Sequence, residues 1–175
     1  MDTKTSIVRA AEQLFDRHGF TASGVDRLTR AANVSSRTLY KHVGSKIGLV
    51  TAVLDERDRR FRGMVDVGTV GALFDALEDW VRVEGARGCL FLRALGETGG
   101  SEPDVAAAVE AQKAALSARI RTIVALELGA DDERLAEQIL VLFEGATATA
   151  VYRGPGAIAS AREAALVLMA TRSRA

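Results

Sequence analysis

The sequence predicts an all-α chain of about nine helices, three short ones at the N-terminus with a longer helical bundle behind them. Three observations carry this. Nearly half of the 175 residues are apolar and only 5% are aromatic, with Ala, Leu, Val, Arg and Glu dominant, a balance that favours helices over sheets. Apolar residues recur at spacings of three and four in segment after segment, and no segment alternates as a strand would. The two prolines, Pro103 and Pro155, stand where helices begin, not inside them.

The elements follow in order. Ile7, Ala10, Ala11, Leu14 and Phe15 share one face of a first helix, which Asp2 or Thr3 can cap and His18-Gly19 ends. A short second helix spans about Gly24 to Ala32, with Ser23 as its expected N-cap and Val25, Leu28 and Ala32 inward. Asn33 tolerates the left-handed turn that follows. Ser35 or Ser36 caps a third helix to about His42, in which Leu39 and Val43 face the core. Gly44 breaks the chain, Ser45 caps a fourth helix, and Leu49, Val50, Val53, Leu54, Arg57 and Phe61 line one side of it.

Three glycines between Gly63 and Gly71 mark a loop and a boundary. Five further helices are expected. Leu73, Phe74, Leu77, Trp80 and Val81 mark one, and Cys89 to Leu95 is nearly all apolar, so burial on most sides is expected. Pro103 opens a long helix that Gly129 ends; Asp131 or Asp132 caps the next, which runs to about Tyr152; Gly154-Pro155-Gly156 leads into a last helix ending near Arg172. There is no internal repeat and no low-complexity tract.

Composition also excludes function classes. A single cysteine, Cys89, allows no disulfide within the chain, as in a reducing compartment. The N-terminal segment is charged throughout and lacks the apolar core of a signal peptide. Ile139 to Val151 is broken by Glu144 and too short to span a bilayer, so a cytoplasmic protein with no membrane partner is expected. Two histidines and one cysteine, far apart, give no metal-ligand spacing. No nucleophile elbow or phosphate-cradling glycine loop is present, so neither an enzyme nor a cofactor is expected.

The net charge of zero hides an asymmetry. Residues 1–62 hold 12 Lys/Arg against 7 Asp/Glu, and residues 63–175 hold 11 against 16. A basic N-terminal part beside an acidic remainder fits a polyanionic partner at one end; scatter over a solvated surface would also produce it.

The segment Gly24 to Lys46 makes the asymmetry specific. Two short helices joined by a tight turn form a helix-turn-helix, whose second helix can enter the major groove of DNA. Arg37 and Lys41, four apart, lie opposite the apolar side of the third helix, with Thr38 and Tyr40 flanking them. Arg and Lys donate to guanine edges or phosphates, and Thr can meet a thymine methyl. Ser45 and Lys46 open the fourth helix, whose first N–H groups suit a phosphate. A solvated helical hairpin without DNA would share the same pattern.

The run GFTASGVDRLTRAANVSSRTLYKHVGSKIGLVTAVL resembles the DNA-binding domain of the TetR family of bacterial regulators. Gly19-Phe20, Leu28, Ala32, Val34-Ser35, Thr38-Leu39-Tyr40, His42, Ser45-Lys46 and Leu49 carry the likeness, and the spacing from Thr38-Leu39-Tyr40 through His42 to Ser45-Lys46 is its specific part. The resemblance implies DNA contacts by Thr38, Tyr40 and Lys46, the last two on phosphates. It places Ser36, Arg37 and Lys41 at recognition positions that vary with the operator; Ser35 and His42 complete the expected set. Asn33, Gly24, Thr29, Arg37 and Val43 depart from the family's usual Gly, Thr, Ala, small residue and Phe. After residue 62 the resemblance weakens, although Gly88-Cys89-Leu90-Phe91 looks like one branch of the family. It implies a DNA-binding domain over 1–46 and a ligand-sensing, dimerising domain over 47–175.

In that second part, small residues four apart (Gly145/Thr149, Ala146/Ala150) permit close helix approach. With Leu135, Ile139, Leu142, Phe143, Ile158, Ala165, Leu166 and Met169 they suit a four-helix dimer interface made by the last two helices of each subunit; packing within one chain is the alternative. Trp80, Phe91, Leu95 and Phe143 are the expected lining of a small-molecule pocket, each also a plausible core residue. Arg93 and Glu97, four apart, read either as a surface pair or as a polar anchor in that pocket. Cys89 packs as a small hydrophobe or senses redox state. The expected whole is a homodimeric repressor on a palindromic operator, released by a small molecule. An activator of the same fold, and a helical interaction module without DNA binding, are the alternatives.

Overall fold

The computed structural model describes residues 2–172, and every regular element among them is an α-helix: α1 (Thr3–His18), α2 (Val25–Ala32), α3 (Ser36–Val43), α4 (Lys46–Met64), α5 (Val70–Glu84), α6 (Leu90–Thr98), α7 (Pro103–Leu128), α8 (Glu133–Arg153) and α9 (Gly156–Arg172). The all-helical architecture is thus as expected. No helix among the described residues is long and apolar enough to cross a membrane.

Local chemistry sets most boundaries. The Asp2 carboxylate accepts from the Thr5 N–H and from the Thr5 hydroxyl, each at 2.9 Å, and opens α1; those bonds hold its pKa below the ordinary 3.8. Thr69 caps α5 and Asp132 caps α8 in the same way, through the N–H groups of Ala72 and Leu135. Pro103 begins α7, where its missing N–H costs nothing. Some boundaries differ from expectation. The expected loop is shorter at both ends: α4 runs on to Met64, past Gly63, and α5 already contains Gly71. Ser23 does not cap α2: it is fully buried and its hydroxyl donates to the Gly19 carbonyl at 2.7 Å, while Gly24 occupies the cap position with no side chain to offer.

The chain divides into two compact units. The first holds the residues up to Arg60 together with Leu90–Ala111, so α1–α3, most of α4, α6 and the start of α7 belong to it. Its buried apolar residues include Ile7, Ala11, Phe15, Leu28, Leu39, Leu49, Val53 and Leu54. Phe15 stacks on Phe20 with ring centroids 4.7 Å apart. One buried carboxylate stands among them: Glu12 of α1 is 7% exposed and takes hydrogen bonds from Arg57 at 3.0 Å and from both terminal nitrogens of Arg60, at 3.0 and 2.5 Å. Arg57, on the otherwise apolar side of α4, is buried for this reason. In α6, Leu90, Phe91 and Ala94 are buried but Leu92 is 47% exposed, so this helix is enclosed on one side, not on most.

The second unit holds Phe61–Cys89 and Gln112 onward. Its core joins α5, the C-terminal part of α7, α8 and α9 through Leu73, Phe74, Leu77, Ile120, Ile123, Ile139 and Phe143. Phe143 meets Phe61 and Phe74 edge-on at 6.3 and 5.8 Å. Leu135, Ile139, Phe143, Ala146, Ala150, Ile158, Ala165 and Met169, all expected in a dimer interface, are instead buried within this single chain. The outward side of the same two helices carries Val141 and Val167, 62% and 63% exposed. Cutting Phe74 to Ala in this core should destabilise the fold by about 3–5 kcal/mol, read as a lower denaturant midpoint at an unchanged slope.

Candidate nucleic-acid interface

The site is assembled from three consecutive turns. At the end of α2, Asn33 adopts φ 52° and ψ 47°, the left-handed conformation that Asn tolerates best after Gly. Its N–H reaches the Arg30 carbonyl, and the next N–H, of Val34, bonds to Thr29 at 3.0 Å. The chain thus turns within three residues and delivers Ser35 to the start of α3. Ser35 is the N-cap: its Oγ accepts from the Thr38 N–H at 3.1 Å and lies 2.9 Å from the Thr38 hydroxyl.

With α3 started there, helical geometry fixes its faces. Leu39 is 1% exposed and Val43 half-buried, which anchors one side. Ser35, Ser36, Arg37, Tyr40 and Lys41 are exposed; Thr38, His42 and Lys46 are half-buried. Arg37 and Lys41, one turn apart, give the exposed side a basic row.

The third turn joins α3 to α4. Gly44 has φ 73° and ψ −58°, and the Ser45 N–H closes back on the Val43 carbonyl at 2.8 Å: a γ-turn of the strained hand, which only glycine adopts cheaply. Ser45 then accepts from the Gly48 N–H at 2.9 Å and opens α4, whose first residue is Lys46. A side chain at Gly48 would put its Cβ 2.2 Å from the Val43 carbonyl oxygen. Gly48 therefore permits the close approach that sets Lys46 beside the end of α3. Sequence reasoning missed Gly48; its one visible signal was a glycine inside a helical pattern. It also missed exposed Arg30, which with Asp26, Thr29, Asn33, Val34 and Ser35 lines a polar groove along the α2–α3 turn.

The expected pocket residues divide between the units. Phe91, buried, and Leu95, half-buried, stand on α6 of the first. Phe143, buried, and Trp80, half-buried with its ring 5.3 Å from Phe61, belong to the second. Arg93 and Glu97 pair with groups on α1 and the loop after it, not with each other. Cys89 is half-buried and accepts from the Lys113 ammonium at 3.3 Å, which also donates to Glu144 at 2.6 Å. No cluster of metal ligands occurs among the described residues.

Residues 7–53 match the model of the bacterial regulatory proteins of the tetR family. The A-factor receptor protein of Streptomyces griseus is 35% identical over 57 residues, which is 33% of this chain and 21% of that receptor, so the likeness spans about a fifth of the curated relative's length. Among solved structures, a TetR-family transcriptional regulator from Streptomyces coelicolor shares the fold with a TM-score of 0.84 at 24% identity, over 98% of this chain and 96% of that one. A TetR-type transcriptional regulator from Streptomyces avermitilis is 27% identical with a TM-score of 0.73, over 94% of this chain and 98% of the other.

Replacing Gly48 with Ala adds a clash with a backbone oxygen and gains about 1 kcal/mol of helix propensity. A contact at 2.2 Å outweighs that gain. The variant should be less stable by a net ~1–2 kcal/mol in chemical denaturation, the lower part of the overpacking range.

Proposed function

By its residues 7–53 this chain belongs to the TetR family of bacterial regulatory proteins, and from that premise we propose that it is a sequence-specific DNA-binding transcription regulator, a homodimeric repressor that a small molecule releases from its operator. The observation that carries the reading is the exposed side of α3, with Arg37, Tyr40 and Lys41 in the open and Lys46 one γ-turn away at the start of α4. Arg37 and Lys41 read base edges, Tyr40 and Lys46 hold phosphates, and Ser35, Ser36, Thr38 and His42 border the same surface. The head is residues 1–46, and residues 47–175 sense and dimerise.

Two heads reach successive major grooves only if the subunits pair, with recognition helices about 34 Å apart. The outward side of α8 and α9 supports pairing there. Val141, Leu142, Ala164, Val167 and Leu168 line an apolar groove rimmed by Glu137 and Gln138, and Gly145 and Thr149 leave room for a facing helix. Phe91 and Leu95 in the first unit, and separately Trp80 and Phe143 in the second, are each proposed as effector contacts. Effector and DNA then oppose each other through one coupling free energy.

Selection from a random DNA pool tests the reading: an enriched palindrome with salt-dependent affinity supports it, and no enrichment sinks it. Arg37→Ala should cost about 1–3 kcal/mol on the preferred sequence and relax the preference, whereas Lys46→Ala should weaken all sequences alike and lower the salt slope by about 1. Sedimentation of the double variant Val141→Glu, Val167→Glu should give a folded monomer; a dimer that survives both charges would place the pairing surface elsewhere.

A further inference from the structure

We propose that Arg93 and Glu97 of α6 are positioning residues for DNA reading, a two-point polar latch that holds the end of α1 and the α1–α2 loop; this rests on the DNA-binding reading given above.

Arg93 acts on the end of α1. Its guanidinium donates to the Asp16 carbonyl at 3.1 Å, the Asp16 carboxylate at 3.2 Å and the Phe15 carbonyl at 3.2 Å. These carbonyls belong to the last turn of a helix, where a cation meets the negative end of the dipole; the Phe15 carbonyl also accepts from the Gly19 N–H at 2.9 Å. Asp16 is itself 8% exposed, so this carboxylate has left water for the contact.

Glu97 acts one turn further along α6. Its Oε2 accepts from the Thr21 N–H at 2.8 Å. The same carboxylate fills the space where a side chain on residue 19 would lie, 2.8 Å from a Cβ built there, and Gly19 has φ 84°. Gly19 is glycine for its backbone angle, and the Glu97 carboxylate lies close against it.

The latched loop decides where α2 begins. Gly24 gives α2 no side-chain cap, so the start of that helix is set by what holds residues 19–23. Within the loop, Phe20 is buried against Phe15 and Ser23 is tied to the Gly19 carbonyl. Glu97 on Thr21 completes that set from outside the loop. α2 packs on α1 and α3, and α3 carries Arg37 and Lys41. A small rotation of the loop therefore reaches the recognition helix. Phe91 and Leu95, two of the proposed effector contacts, stand on the same nine-residue helix as the latch.

Arg93→Met, Glu97→Ala and Glu97→Gln test the proposal, the last keeping an oxygen that accepts from Thr21 without the charge. The DNA probe is the sequence that the unaltered protein selects from a random pool. Hydrogen exchange at the Thr21 amide should speed up at least about tenfold in Arg93→Met and Glu97→Ala. Both should lose about tenfold in DNA affinity at an unchanged salt slope, because no phosphate contact is removed. Glu97→Gln should stay within about threefold of the unaltered protein on both measures. The latch is overturned if the Thr21 amide exchanges faster in Glu97→Ala while DNA affinity holds, if Glu97→Gln falls as far as Glu97→Ala, or if Arg93→Met lowers the salt slope by about 1, the mark of a phosphate contact. Should Arg93→Met fail to fold, the Glu97 pair decides. An unaltered protein that selects no sequence overturns the DNA reading and the latch with it, whereas one that binds and is indifferent to Glu97 overturns the latch alone.

Discussion

The first unit is organised around a buried charge. Glu12 cannot hold an ionised carboxylate at 7% exposure without partners, and it has two guanidinium groups, from residues 45 and 48 positions further along the chain. Taking three ionic groups out of water consumes most of what their attraction returns, so this cluster adds little to stability. Its value is geometric. Apolar contacts between α1 and α4 would tolerate sliding, whereas a carboxylate bridged by two planar guanidinium groups accepts few arrangements. The side of α1 that carries Glu12 is thereby locked to the last turns of α4 in this unit, and α4 begins at Lys46.

The same logic recurs at the other end of α1. Arg93 donates to two carbonyls in the last turn of α1, and Glu97 accepts from one loop N–H. The helix-turn-helix is short, and few of its residues are fully buried: in α2 and α3 only Leu28 and Leu39 are. Two buried leucines cannot by themselves define the orientation of two eight-residue helices. Polar fixings from α4 and α6 supply what the small apolar contact lacks. This leaves the outer side of α3 free of structural duty, so Arg37, Tyr40 and Lys41 can stand in solvent.

The second unit is built on the opposite plan. Its core is broad and apolar, with Phe61, Phe74, Phe143 and Trp80 in edge contacts; Lys113 and Glu144 form a half-buried ion pair, whereas those of Arg121 with Asp131 and Glu133 are exposed. Exposed pairs of this kind contribute little. The acidic excess beyond residue 62 thus sits largely on a solvated surface, while basic residues of the first unit present themselves on α2 and α3. The charge asymmetry seen along the sequence is not a difference between the two units: residues 90–111 bring Glu97, Glu102, Asp104 and Glu110 into the first, which holds 12 basic and 11 acidic residues against 11 and 12 in the second.

The sequence by itself determined whatever depends on residues within about four positions of each other. Asn33, Ser35, Gly44 and Ser45 each act on an immediate neighbour, so the turn and the exposed basic row of α3 were legible from spacing alone, as was Pro103 at the start of α7; the caps of α3 and α8 were legible only to within one residue, Ser35 or Ser36 and Asp131 or Asp132. Only the tertiary structure decided what depends on partners tens of residues away. Ser23 has the chemistry of a cap, yet the buried loop claims its hydroxyl. Arg93 and Glu97 have the spacing of an ion pair, yet they bond instead to the end of α1 and its loop, 76 to 78 positions back. In α8, apolar and small residues occupy more than one side, so periodicity could not tell Ile139, Phe143 and Ala146, which face the chain's own core, from Val141, which does not. A repeat of 3.6 residues fixes which side chains share a face; which face is covered, and by what, is decided by the neighbours that folding brings against it.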